Sequence, residues 1–138
     1  MTVSSNEALH VAINSRFHTS VATPQSLTTK VQYDNAPFDP PDNATWVRVS
    51  ILAGEPVTVE FGDSMRYRTP GVMDALISIP IESGTKDALE LADVIAAAFR
   101  YVTAGGVTYG LPGVRTMGRS GSWWQINVSC PFYADTVE

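Results

Sequence analysis

Few residues in this chain could do covalent or proton-transfer chemistry, and their spacing argues against it. The single cysteine, Cys130, lies in an alternating stretch on the same side as Trp124, Ile126, Val128 and Phe132. A thiol among apolar neighbours is disfavoured as a thiolate, because burial penalises the charge. One cysteine also excludes a disulfide framework and a cysteine-built zinc site. His10 and His18 could share a helix face, but no Asp, Glu or Cys joins them at ligand spacing. The carboxylate pairs Asp39 with Asp42 and Glu60 with Asp63 lie in or beside polar turns, where solvated side chains are the ordinary reading and a paired acid and base the rarer one. Gly118-Arg119-Ser120-Gly121 joins two strand patterns instead of opening a helix, so it reads as a hairpin turn and not a phosphate cradle. There is no Gly-x-Ser-x-Gly, no Walker lysine loop and no His-Glu-x-x-His. No catalytic, cofactor-binding or metal site is expected.

The remaining distinctive residues suit contact better than catalysis. Arg66, Arg68, Arg115 and Arg119 fall in or near loops of the strand-rich region. With nine Lys plus Arg against fourteen Asp plus Glu, a net charge of −5, they make a poor phosphate-backbone patch. They are better placed as salt-bridge partners between subunits, where arginine is favoured, with plain solvation the equal alternative. Trp46 and Trp123 sit on the polar side of their strands, either under a second small core or at a subunit interface, where tryptophan is enriched. Tyr33 and Phe38 flank a stiff, proline-rich loop. Such an aromatic is either folded back onto the domain or a docking tip, and docking is the expectation for Phe38.

The elements that must carry these residues follow from periodicity. Ser4 or Ser5 can cap a first helix whose stripe is Leu9, Ile13 and Phe17, ending near His18. Residues 28–33 read as a short strand. The prolines of 34–43 exclude a helix or a central strand there. Residues 46–52 alternate with Val47, Val49 and Ile51 on one face; residues 53–56 are turn chemistry, and 57–61 return as the partner strand. Residues 62–70 read as a polar connection holding Arg66 and Arg68. Residues 72–81 form the strongest strand pattern, broken by Glu82-Ser83-Gly84-Thr85. A second helix spans 86–101, with Leu91, Ile95, Ala98, Phe99 and Val102 inward, and is stopped by Gly105 and Gly106. Strands at 107–109, 114–118 and 123–132 complete the chain, with a turn at 120–122.

Strands joined by short turns pair antiparallel, so the fold class is α+β: a mostly antiparallel sheet with two principal helices packed on it, in a single domain, residues 1–138. At 138 residues, 44% hydrophobic and 17% charged, the chain can bury a core without staples, hiding roughly 68% of its unfolded surface. The longest apolar run, residues 94–99, is too short for a membrane span. Residues 1–14 lack a signal peptide's basic start and apolar run. A soluble protein made in a reducing cytoplasm, with no membrane partner, is expected.

The order of short motifs carries a resemblance. Tyr33-Asp34-Asn35-Ala36-Pro37-Phe38, then Pro40-Pro41 and Trp46-Val47-Arg48-Val49, are followed by Arg68-Thr69-Pro70-Gly71. Next come Gly84-Thr85 before a helix with Leu91-Ala92-Asp93, and Trp124-Gln125-Ile126-Asn127-Val128 running into Pro131-Phe132. From about Leu9 to Phe132 this resembles the tail terminator (tail completion) proteins of long-tailed bacteriophages, including the minor tail protein U type. The resemblance implies a virion structural protein at the tail-neck junction, assembled in the host bacterial cytoplasm. It implies no catalytic residues or cofactors, and a homohexameric ring seated on the tail tube protein that halts tube polymerisation and faces the head-neck connector proteins. Genomic DNA would pass through the lumen without specific binding. A neck or head-completion protein is the alternative within the same class. A domain of this length is roughly 37 Å across, so six in a ring leave a hole about as wide, less whatever their loops fill. Six copies at −5 each carry roughly −30, a bias that lets DNA slide.

Overall fold

The computed structural model describes residues 3–41, 43–62, 65–82 and 84–137. Asp42, Asp63 and Ser83, which the sequence assigns to polar turns, lie outside them. In chain order the elements are α1 (Asn6–Phe17), a π-helical turn (His18–Ala22), β1 (Val31–Gln32), β2 (Trp46–Ala53), β3 (Val57–Glu60), β4 (Arg66–Pro80), α2 (Lys86–Phe99), β5 (Thr103–Ala104), β6 (Val107–Tyr109), β7 (Gly113–Ser120) and β8 (Trp123–Val137).

β4 and β8 each run 15 residues and pair antiparallel along their whole length, from Arg66 opposite Val137 to Pro80 opposite Trp123. At ~3.4 Å per residue this ladder is roughly 50 Å long. The other strands are laid against it in the order β1-β2-β4-β8-β6-β5, with β3 also on β4 and β7 also on β8. Every pair is antiparallel except β1 with β2. The fold is α+β, as the alternation predicts.

Side chains alternate across the ladder, so one face collects Val47, Val49 and Ile51 of β2, Met73, Ala75, Ile77 and Ile79 of β4, and Ile126, Val128, Cys130, Phe132 and Ala134 of β8, all buried. Both helices cover this face. α1 is capped by Ser5, whose hydroxyl accepts the Ala8 N–H at 3.1 Å, and buries Leu9, Ile13 and Phe17. α2 buries Ala88, Leu91, Ala92, Ile95, Ala96 and Phe99. The Phe99 ring stacks on Phe17 at 6.3 Å and meets Tyr109 edge-on at 4.9 Å. Arg16 joins the two helices: its guanidinium donates to the Ala98 carbonyl at 2.6 and 3.2 Å, satisfying an acceptor in the last turn of α2.

Several expectations need correction. Residues 53–56 are not a hairpin turn. β3 continues in the direction of β2 along the same edge of β4, and residues 54–56 stand opposite residues 69 and 70, a bulge with one extra residue. Pro56 has no N–H for the ladder, while Gly54 N–H reaches the Pro70 carbonyl at 2.7 Å. Residues 62–70 are not merely a connection, because β4 begins at Arg66 and carries Arg68 and Pro70 within the strand. Gly71 lets β2 and β8 close in there; a Cβ on it would sit 2.7 Å from the Leu52 carbonyl oxygen. α1 ends at Phe17 with His18 as its cap, as expected, but the segment after it is a π-helical turn and not a polar loop, and it buries Val21 and Ala22. The first strand shrinks to Val31–Gln32. α2 ends at Phe99, before the glycines, as Arg100 extends and Tyr101 takes a φ of 52°. Gly105 and Gly106, with φ of 63° and 85°, instead make the two-residue turn between β5 and β6.

Two outcomes follow from this core. Phe99→Ala removes the ring held between Phe17 and Tyr109 and should cost about 3–5 kcal/mol in denaturant unfolding. Burial pushes the Cys130 thiol up to about 12, so a thiol reagent at about pH 8 should label it only after the protein is unfolded. Rapid labelling of the native protein would contradict the burial.

Candidate assembly interface

The second face of the sheet carries the residues the sequence singles out for contact. It begins at the Trp123 end of β8. Trp46, at the start of β2, is only 5% exposed, although it points away from the helices. Phe38 covers it from the proline-rich segment, ring centroids 5.3 Å apart, and Trp123 meets it edge-on at 6.0 Å. The Arg48 guanidinium carbon lies 5.9 Å from the same ring. The proline-rich segment is held to the outer edge of β2 by the Asp34 carboxylate, which accepts the Ile51 N–H at 2.9 Å. Phe38 therefore sits half-buried on the sheet and is not a free loop tip. Tyr33 goes the other way, packing against the helix-side core. Its buried hydroxyl has no hydrogen-bond partner among the described residues, and burial raises its pKa.

The middle of the face is a polar belt across the long ladder. Asp74 accepts from the Ser129 hydroxyl at 2.6 Å and from the Asn127 amide at 3.4 Å; Gln125 donates to the Ser78 hydroxyl at 3.1 Å. Each pair joins β4 to β8, so the belt fastens the register on the face that has no helix.

At the far end Arg68 forks onto Asp135, with Nε at 2.9 Å and Nη2 at 3.2 Å from its two oxygens. Arg66 lies between two carboxylates, its Nη1 3.5 Å from Asp135 and its Nε 3.1 Å from Glu60. The Arg68 guanidinium also covers the Tyr133 ring at 4.2 Å. Asp135 is 8% exposed. The Arg68 hydrogen bonds, aided by the charges of Arg68 and Arg66, hold its carboxyl below the usual range. Both arginines thus have partners within their own chain. Arg115 and Arg119 project from β7, where both are exposed.

Trp46, Trp123 and Phe38 come together at one end, Arg66 and Arg68 at the other, and Tyr33 joins neither group. Asp74 and Asp135 escape sequence reasoning, because their partners lie 55 and 67 residues away. The available signal was a carboxylate standing inside an alternating strand pattern, on the row opposite the apolar one.

The family model for phage tail terminator protein matches residues 8–132. One solved protein structure superposes with a TM-score of 0.65 at 18% identity, covering 94% of this chain and 95% of that one. A chain from the virion of a native gene transfer agent particle superposes with a TM-score of 0.60 at 14% identity, covering 96% of each. At those identities the likeness is one of fold. No curated protein sequence matches.

The Asp135 cluster sets an acid limit. Its pKa is lower folded than unfolded, so its contribution to stability is complete above the ordinary carboxylate value of about 4 and is lost as pH falls through the folded value. Asp135→Asn should lower the melting temperature at about pH 7, with a smaller gap to wild type at about pH 3, below the ordinary carboxylate value. An equal gap at both pH values, measured by circular dichroism melts, would contradict the ion-pair account.

Proposed function

Since the chain belongs to the phage tail terminator family, whose members are virion structural proteins, we propose that it forms a homohexameric ring on the end of the tail tube. One face of the ring copies the contacts of the tube protein. The opposite face lacks them, so no further tube ring adds, and it is offered to the head-neck connector proteins. The action is steric and templating, with no chemical step, and its place is the tail-neck junction of a virion put together in the bacterial cytoplasm. Genomic DNA passes through the lumen, kept mobile by the chain's net charge of −5.

The observation that carries this reading is the family match over residues 8–132. The two-ended second face supports it. The aromatic end with Trp46 and Trp123, and the ionic end with Arg66 and Arg68, lie on one continuous surface that the helices leave open, and we assign it to contacts between subunits. The segment carrying Tyr33 and Phe38 is assigned to the tube or neck, with Phe38 presenting the outer side of its half-buried ring.

Negative-stain imaging of the protein with purified tail tubes tests the proposal. The expected outcome is a six-fold ring at one end of each tube. Phage lacking the protein should make overlong tails that join no heads. Twelve-fold rings would point instead to a neck or head-completion protein, and normal tails without the protein would refute the terminator role.

A further inference from the structure

Among the described residues, two strands remain bare on their outer edges. β7 pairs with β8 alone, and all its residues except Gly118 are exposed. β3 pairs with β4 alone, and all its residues except Thr58 are exposed. A strand whose residues are nearly all exposed and that is open along one edge is held by a single ladder and is a template for another strand. Both edges are also apolar. Val57 and Val59 on β3 are 58% and 43% exposed, and Val114 and Met117 on β7 are 44% and 54% exposed.

Their charges are opposite. Arg115 and Arg119 are the only charged side chains in residues 101–134, and both belong to β7. Exposed Glu55 precedes β3 and exposed Glu60 ends it. Neither arginine nor Glu55 has an ion-pair partner among the described residues. The directions match as well. β3 runs antiparallel to β4, β4 to β8, and β8 to β7, so β3 and β7 point in opposite senses.

We infer that β7 of one copy adds antiparallel to β3 of the next, with Arg115 and Arg119 facing Glu55 and Glu60, so that the sheet runs on from subunit to subunit. The inference rests on the ring reading and assigns the edges that close it. The two surfaces differ, so the contact is heterologous, the kind that generates a ring when its rotation closes. β7 lies beside the Trp123–Ser129 end of β8 and β3 beside the Arg66–Arg68 end of β4. Each added copy therefore steps along the strands, which gives the tilt that closing a sheet into a cylinder requires.

A mixing experiment tests this. One variant carries R115E and R119E, which makes both edges acidic; the other carries E55R and E60R, which makes both edges basic. Neither should form rings alone, because like charges face each other, but an equimolar mixture should form rings in which the two alternate. Glu60 also holds Arg66, so E55R alone is run beside the pair. It should raise the concentration needed for rings at least about tenfold, with an unchanged melting temperature. Rings from either double variant at the wild-type concentration, or a mixture that stays monomeric while both variants melt cooperatively, would overturn the edge pairing and leave the ring itself standing. Wild-type protein that makes no ring, in solution or on tubes, would overturn both.

Discussion

Everything in this fold hangs on the antiparallel ladder between β4 and β8, from Arg66 opposite Val137 to Pro80 opposite Trp123. Because the side-chain period is two, this one register decides which residues meet the helices and which do not. A slip of one residue in either strand would turn its polar row, Asp74 and Ser78 on β4 or Asp135 on β8, to the helix side, where unpaired polar groups are costly, and would send its apolar row, Met73 and Ile77 or Cys130, to the open face. Both faces enforce the register by different means. The helix side uses apolar packing around Phe17, Phe99 and Tyr109. The open side uses directed bonds, the Asp74 belt and the Arg68 fork on Asp135.

The ladder is longer than the two helices can cover. α1 is 12 residues and α2 is 14, about 18 and 21 Å at ~1.5 Å per residue, against a ladder of roughly 50 Å. Surplus sheet is the physical reason that β3 and β7 stand exposed, and the second face is open because both helices pack on the other. For a solitary enzyme this would be a liability. In the proposed ring, where a subunit acts by position, joining neighbours and covering the end of a tube, such surface is the working part. The ionic end, the aromatic end and the two bare edges are then separate regions of one plate, not parts of one site.

What was legible in the sequence was what local periodicity encodes. The stripe through Leu91, Ile95 and Phe99 and the alternation through Met73, Ala75, Ile77 and Ile79 both stand where they read. The failures are equally physical. Gly54 and Pro56 look like a hairpin turn, but the same residue types suit a bulge, and only the pairing of Ala53 with Gly71 and Val57 with Arg68 distinguishes the two. The start of β4 was hidden because Arg66, Arg68 and Pro70 are unusual strand residues; there β8 supplies the partner, and Asp135 the countercharge. Gly105 and Gly106 suit a helix stop as well as a tight turn, because glycine serves both purposes. The covering of Trp46 by Phe38 is a long-range contact that no window of neighbouring residues contains.

The central claim is that this is a sheet completed only by its neighbours, and hydrogen exchange tests it most directly. Amides of β4 and β8 should exchange slowest in the isolated protomer, while those of β3 and β7 exchange within the range of open loops. On assembly into the ring, protection should appear at β3 and β7 together. Equal protection of those two strands in protomer and ring, or protection gained only elsewhere, would contradict the account.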